Sequence, residues 1–472
     1  MAGKKTILFV SPEAQPFAGT GGLGEVAGSL PVALAAKGNF DVSVVMPLYS
    51  AVSSEYRNDF EFIKWFFVSL NWRHQYCGIF KLVRDGVTWY FLDNEYYFAR
   101  GGIYGYDDDA ERFAFFSKAA LEMMSQLNYY PDIVHSNDWQ SALVPLYNKL
   151  IYRFGFKSVF TIHNIEYQGL YDLSLLRELF ALPDDAYDYV EWNGGLNLMK
   201  GAIEAADVVT TVSPTYAAQL QDPMYGSGLD PIIRNNSYKM RGILNGISYT
   251  SYDPATDECL PANFDAADHS KKASDKEVIQ QVRGLNKDPN AMLMIVISRL
   301  VYHKGMSIIQ GAMDRILQEN VQLVVLGVGD PGYEDYFRWL SSRYPDKVSV
   351  TIKFDNAMSR RLYAGADVLL MPSVSEPCGL TQMIASRYGT IPIVRETGGL
   401  RDSVKDCSLG EGNGFTFAGA DPVSFQDAVF RALNVYHNKD DWDALVTHAL
   451  GLDFSWKKSA SEYEDLYREI IQ

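Results

Sequence analysis

The chain has 472 residues, 47% of them hydrophobic and 21% charged, with a formal net charge of −16. That length calls for two cores rather than one, and the acidity argues against nucleic acid or an anionic membrane as a general partner. Four cysteines, Cys77, Cys259, Cys378 and Cys407, show no CxxC spacing, which argues against a zinc site or a disulfide framework and for a reducing compartment.

The first apolar run, Ile7 to Val10, is too short for a signal peptide or a membrane span and reads as the first strand of a cytoplasmic protein. A loop ending in Gly19-Thr20-Gly21-Gly22 follows, then an amphipathic helix from about Glu25 to Lys37 and a second strand, Asp41 to Met46. This is a βαβ opening with a glycine-rich first loop. Its glycines do not follow GxGxxG, no acidic residue follows the second strand to take a ribose, and no GK[ST] follows the loop. A nicotinamide enzyme and a P-loop kinase are therefore disfavoured. Residues 60–100 alternate apolar and polar positions and predict an antiparallel β excursion, whereas Asp109 to Leu127 has helical period. The strand Asp132 to His135 runs into Asn137-Asp138-Trp139-Gln140, Val159 to Ile162 ends on His163-Asn164, and a helix near Leu196 to Ala205 precedes the strand Asp207 to Val212. Ile243-Leu244-Asn245-Gly246 closes the first half.

Residues 249–290 are polar and charged, and read as an interdomain passage with a surface helix. The second half opens on the strand Met292 to Ile297, which ends at Ser298-Arg299-Leu300 and reaches Lys304-Gly305 before a helix. Strands at Gln322 to Leu326, Val348 to Ile352, Ala366 to Met371 and Ile391 to Val394 follow, and a last helix spans Lys457 to Ile471. The expected fold class is α/β, two doubly wound Rossmann-like domains with polar residues at strand ends.

The stretch Met371 to Val404 carries the most chemistry. It reads strand, loop with Glu376, helix, strand, then Thr397-Gly398-Gly399 and another helix, so two loops face one crevice at the carboxyl ends of parallel strands. Glycines before a helix let backbone N–H groups approach an anion. A carboxylate such as Glu376 repels phosphate but accepts from sugar hydroxyls. Arg299 and Lys304, a fork and a point charge in one strand-to-helix loop, suit a diphosphate; the alternative is a pair of surface cations. For Glu376 and Asp138 the plain alternative is a helix cap, and for His163 a satisfied core histidine. Cys378 reads as a small buried residue rather than a nucleophile. His303 has no second ligand at metal spacing, so neither a metal nor a cofactor is expected.

The segments TGGLGEVAGSLP, TIHNIEYQG, ADVVTTVSPTYA, ILNGI, SRLVYHKG, GADVLLMPS, SEPCGLTQMIASRYGTIPIVRETGGL and DFSW resemble, in order and over nearly the whole chain, those of the bacterial glycogen synthases and plant starch synthases. That resemblance implies a GT-B type retaining glucosyltransferase with two Rossmann-like domains facing a cleft. One is an acceptor-side domain over residues 1–248 completed by 457–472; the other, residues 249–456, binds the nucleotide sugar. It implies transfer of glucose from ADP-glucose (or UDP-glucose) to the non-reducing end of an α-1,4-glucan. Carried over to this sequence, Arg299 and Lys304 would neutralise the leaving diphosphate, Glu376 would hold the donor glucose hydroxyls, and His163 would contact the same sugar. Gly21, Gly22, Glu25, Asp138, Asn164 and Asn245 in the first domain would line the substrate site, with Cys378, Gly379, Leu380, Thr397, Gly398 and Gly399 in the second. The chain departs from the family where a lysine usually precedes TGGL and Gly19 stands here, where HDWH is Asn137-Asp138-Trp139-Gln140, where aspartate is Glu25, and where LNGID ends in Ser248. Loss of a phosphate-binding lysine costs on the order of 2–3 kcal/mol if nothing replaces it. Two other readings stay open: a relative with a different donor or acceptor, and a glucan-binding paralogue of weak activity.

Overall fold

The structure is a computed structural model that describes residues 4–471. The chain divides into two compact units, Met1–Asn245 with Trp456–Gln472, and Gly246–Ser455.

In the first unit the strands β1 (Lys5–Val10), β2 (Phe40–Pro47), β3 (Glu61–Leu70), β4 (Arg73–Arg84), β5 (Val87–Asp93), β6 (Ile133–Asn137) and β7 (Lys157–Ile162) come first in the chain. Three short strands follow, β8 (Leu170–Tyr171), β9 (Glu191–Trp192) and β10 (Gly195–Asn197), then β11 (Val208–Thr211) and β12 (Met240–Gly242). The main sheet has the order β12-β11-β7-β6-β1-β2-β5-β4-β3, and β8, β10 and β9 form a separate sheet. In this sheet β4 alone runs against the other strands, pairing antiparallel with both β3 and β5; β5 pairs parallel with β2, from Ser43↔Thr88 to Pro47↔Leu92. The excursion over residues 60–100 thus extends the central sheet, because Trp89 and Phe91 are buried and β5 takes a strand position covered on both faces.

Chain order reverses at β1, which lies between β2 and β6. The loops leaving β1 and β6 therefore open into one crevice. The helix Trp456–Ile470 belongs to this unit. Asn39 Nδ2 donates to Glu464 Oε1 at 2.7 Å, Ser459 Oγ donates to the Leu244 carbonyl at 2.5 Å, and Tyr467 Oη lies 2.7 Å from His135 Nδ1.

The second unit is a six-stranded sheet, all parallel, built from β13 (Met292–Ile297), β14 (Val321–Leu326), β15 (Val348–Thr351), β16 (Val368–Met371), β17 (Ile391–Arg395) and β18 (Phe415–Phe417) in the order β15-β14-β13-β16-β17-β18. Near-continuous apolar runs such as MLMIVI suit strands covered on both faces. Here the order reverses between β13 and β16, so the Arg299 to Lys304 loop and the Glu376 loop leave neighbouring strands.

The charged segment before this sheet forms the helix Lys272–Val282, but it is not a surface helix: Lys272, Asp275, Lys276, Ile279 and Gln280 are buried. Lys272 Nζ donates to the carbonyls of Ala364 at 2.7 Å and Tyr388 at 3.1 Å and to Thr390 Oγ1 at 3.0 Å, while Lys276 pairs with Asp367 at 2.6 Å. Both buried ammonium groups are matched to acceptors, the condition under which burial is tolerated. Burial still lowers the Lys272 ammonium to a pKa of about 7.

No helix among the described residues is long and apolar enough to cross a membrane. Nor do the described residues hold a cluster of three or more His, Cys, Asp or Glu side chains able to grip a metal ion.

Candidate active site

In the second unit, the loop after β13 carries Arg299 and Lys304 and the loop after β16 carries Glu376. Lys304 Nζ donates to both carboxylate oxygens of Glu376, at 2.7 and 2.8 Å, and Ser373 Oγ donates to Oε2 at 3.0 Å. Glu376 is only 5% exposed. It caps no helix, since the next one, Thr381–Arg387, has Leu380 at its N-cap. Arg299 is exposed, and among the described residues no ion pair or hydrogen bond engages its guanidinium. The two cations expected to act alike therefore differ: Lys304 is neutralised by a buried carboxylate and Arg299 is open to solvent.

The glycine turn after β17 packs on the Glu376 loop. Gly398 has φ 44°, and a Cβ there would lie 1.9 Å from the Glu376 carbonyl oxygen. A Cβ on Gly399 would lie 2.2 Å from the Cys378 carbonyl oxygen. The Gly399 amide is already used, donating to the carbonyls of Glu376 at 3.2 Å and Pro377 at 3.1 Å. This corrects the expectation that both glycines spend their N–H groups on phosphate, for at Gly399 the close approach is to the neighbouring loop. Thr397 and Cys378 are buried. Gly379, at φ 72°, lets Gln382 Nε2 reach its carbonyl at 2.8 Å, and Leu380 beside it is half-buried. Val394, Leu400 and Val404 form the apolar floor of this turn, with Met371 packed against them.

In the first unit, Asp138 sits at the end of β6 with φ 53°. Its carboxylate does not cap the following turn but accepts from the His163 amide at 2.7 Å, tying the β6 loop to the β7 loop. Burial raises its pKa to about 7, with the neighbouring Glu13 charge adding to the rise. His163 Nε2 lies 3.0 Å from Asn137 Oδ1. Asn137 Nδ2 donates to the carbonyls of Val10 at 3.2 Å and His135 at 3.4 Å, so its oxygen faces the imidazole. An amide oxygen only accepts, which puts the His163 proton on Nε2 and leaves Nδ1 as an acceptor. Burial lowers the His163 pKa to about 3, so the ring is neutral. Asn164 Oδ1 accepts from the Glu166 amide at 3.0 Å, and the buried Asn245 Oδ1 has no partner among the described residues.

Gly21 and Gly22 are exposed, and a Cβ on either meets nothing within 4 Å, so packing does not dictate glycine there. Glu25 lies in the first turn of the helix Gly22–Lys37. The residue that shapes this loop is one the sequence reading passed over. Glu13, 2% exposed, accepts from Thr20 N at 2.8 Å, Thr20 Oγ1 at 2.9 Å and Gly24 N at 3.0 Å. A lone carboxylate between a strand and a glycine-rich loop was its only signal. Burial raises its pKa. Structure thus gathers Asp138, His163 and Asn164 in one unit and Lys304, Glu376, Cys378, Gly398 and Gly399 in the other.

The family profile described as starch synthase catalytic domain matches residues 6–235, and that of the glycosyl transferases group 1 matches residues 275–444. The glycogen synthase of Clostridium beijerinckii is 46% identical over 98% of this chain and 99% of its own length, and that of Desulforamulus reducens 45% identical over 98% of each. The chain belongs to the glycogen synthase family. Like the rest of that family it is a glycosyltransferase, with two parallel-sheet Rossmann-like domains. The catalytic domain of starch synthase IV from Arabidopsis thaliana, bound to ADP and acarbose, is similar at TM-score 0.92 and 36% identity, covering 99% of this chain and all of that one. Sucrose-phosphate synthase from Thermosynechococcus elongatus, at TM-score 0.63 and 20% identity, shares the fold.

Proposed function

We propose that this glycogen synthase relative takes glucose from ADP-glucose and adds it, with retention, to the non-reducing end of an α-1,4-glucan in the cytoplasm. The observation that carries the reading is the Lys304–Glu376 pair at the strand reversal of the second unit, the position where α/β sheets bind ligands. The likeness to a starch synthase domain that binds ADP and acarbose supports the choice of donor and acceptor. In this reading residues 249–456 bind the donor. Arg299 and Lys304 offset charge growing on the departing diphosphate, a stabilisation realised in the transition state. Glu376 orients Lys304 and accepts from the donor sugar. His163, neutral and protonated at Nε2, accepts a sugar hydroxyl at Nδ1. Gly21 and Gly22 leave room for ligand phosphates at the first helix. Asp138 and Asn164 hold the β7 loop around His163.

The test supplies radiolabelled ADP-glucose or UDP-glucose with glycogen and compares the wild type with Arg299→Ala. Incorporation from ADP-glucose is expected, and the exposed arginine's loss lowers kcat by about 100-fold, the scale of one removed electrostatic contact. Incorporation from UDP-glucose alone reassigns the donor. Glycogen binding with no incorporation from either donor refutes the enzyme reading in favour of a glucan-binding paralogue, which Gly19 in place of the family's usual lysine favours.

A further inference from the structure

One fully buried polar side chain of the second unit has no part in the chemistry described above. Gln382 is 0% exposed and stands in the first turn of the helix Thr381–Arg387. Its Nε2 donates to the carbonyls of Gly379 at 2.8 Å and Cys378 at 3.2 Å, and to Ser403 Oγ at 3.0 Å. Carbonyl oxygens only accept, so the amide nitrogen must face them and the side chain has one orientation. Ser403 Oγ gives its own proton to the Gly399 carbonyl, at 2.6 Å, and therefore receives one from Gln382. A line of hydrogen bonds thus runs from the Glu376 loop, at Cys378 and Gly379, through one amide and one hydroxyl to the glycine turn.

The other end of that amide is uncommitted. Gln382 Oε1 is buried and has no hydrogen-bond partner among the described residues. A Cβ on Gly379 would lie 2.5 Å from this oxygen, so Oε1 abuts the backbone of the Glu376 loop. An unpaired buried acceptor is destabilising, whereas an apolar side chain of similar length would fill the space without that cost. Packing alone therefore does not account for a glutamine. What the amide adds is a second tie between two loops. The Gly399 amide already joins them at the carbonyls of Glu376 and Pro377. One point of attachment leaves the angle between the loops free, and a second, at Cys378 and Gly379, fixes it.

We infer that Gln382 is a positioning residue for the donor, holding the Glu376 loop and the glycine turn at the angle that nucleotide-sugar binding needs without touching the ligand. The inference rests on the proposed reading in which these two loops face the donor.

The test uses the full chain, with ADP as a binding probe and ADP-glucose or UDP-glucose plus glycogen for turnover. Gln382→Met keeps the length of the side chain and removes both ends of the amide. Its dissociation constant for ADP and its KM for ADP-glucose are expected to rise at least ten-fold, within the range that small misplacements cost. Its KM for glycogen stays unchanged. Ser403→Ala removes a single hydroxyl and is expected to raise the same two constants at least three-fold. The double variant should bind ADP no more weakly than Gln382→Met, because both changes break one line of hydrogen bonds. A folded Gln382→Met with wild-type affinity for ADP, or with equal rises in the two KM values, overturns the inference and leaves the amide a packing element. Where Gln382→Met does not fold, unchanged ADP affinity in Ser403→Ala overturns it. Transfer from neither donor by the wild type refutes the synthase reading, and the ADP affinities still decide the role of Gln382. Transfer by the wild type with ADP affinity unmoved in both variants does the reverse.

Discussion

Lys304 Nζ lies 2.7 and 2.8 Å from the two carboxylate oxygens of Glu376, so a cation from the loop after β13 and an anion from the loop after β16 neutralise one another at the strand reversal of the second unit. Breaking such a pair strands a charge with little water around it. Lys304→Ala and Glu376→Gln are each expected to lower stability by about 3 kcal/mol. The double variant Lys304→Ala/Glu376→Gln should lose less than the sum of the two. A double-mutant cycle in urea checks this, and additive losses would show the two side chains to be independent.

Glycines in the two halves are held for different reasons. Gly398→Ala places a Cβ 1.9 Å from a backbone oxygen at a left-handed φ, and should lower the melting temperature by ten degrees or more or abolish soluble expression. At Gly21 a Cβ meets nothing, so Gly21→Ala should change stability by at most ~0.5 kcal/mol. If ligand fills that space, its KM for ADP-glucose rises while its melting curve matches the wild type.

Gly19 is open to a direct gain of function. A Cβ there meets only the far end of the Gln15 side chain, at 2.8 Å, which can swing aside. Gly19→Lys should fold normally and raise kcat/KM for ADP-glucose at least ten-fold, for a restored charge-assisted phosphate contact contributes about 1.5–3 kcal/mol. An unchanged kcat/KM would show that this loop does not approach the diphosphate.

Burial lowers the pKa of His135 to about 3, with the neighbouring His163 contributing. In the unfolded chain a histidine binds a proton near pH 6.5. Acid therefore favours unfolding: the contribution is complete above pH 6.5 and is lost as pH falls towards 3, at about 1.4 kcal/mol per pH unit for each such group. Asp138, raised to about 7, works in the opposite direction, its protonation favouring the fold as pH falls from 7 to 4. Urea titrations at pH 7 and pH 5 should show a smaller acid loss for His135→Gln than for the wild type. An identical loss would mean that His135 is not held neutral.

The positions of the strands along the chain and the loops that carry chemistry were legible because parallel strands covered on both faces are written as apolar runs. MLMIVI at β13 and the run into Met371 at β16 left little room for another reading. What periodicity cannot report is a polar group buried by its partners. The helix Lys272–Val282 looked like a surface helix because its lysines find their acceptors more than ninety residues away in sequence, at Ala364, Asp367, Tyr388 and Thr390. Glu13 escaped notice for the same reason, its role lying in hydrogen bonds to Thr20 and Gly24. The strand β18 was missed because Phe415–Phe417 is too short to show a period. Gly398 and Gly399 were picked out from sequence, but the loop they must clear belongs to Glu376 and Cys378, a contact only tertiary structure reveals.

The helix Trp456–Ile470 has one more consequence, for biosynthesis. The first unit leaves the ribosome early, yet its face around His135 and Asn39 stays uncovered until residues made some two hundred positions later supply Tyr467 and Glu464. Its assembly is therefore finished only after translation has passed through the entire second unit. A nascent chain stalled inside that unit would display an unfinished sheet to chaperones and proteases.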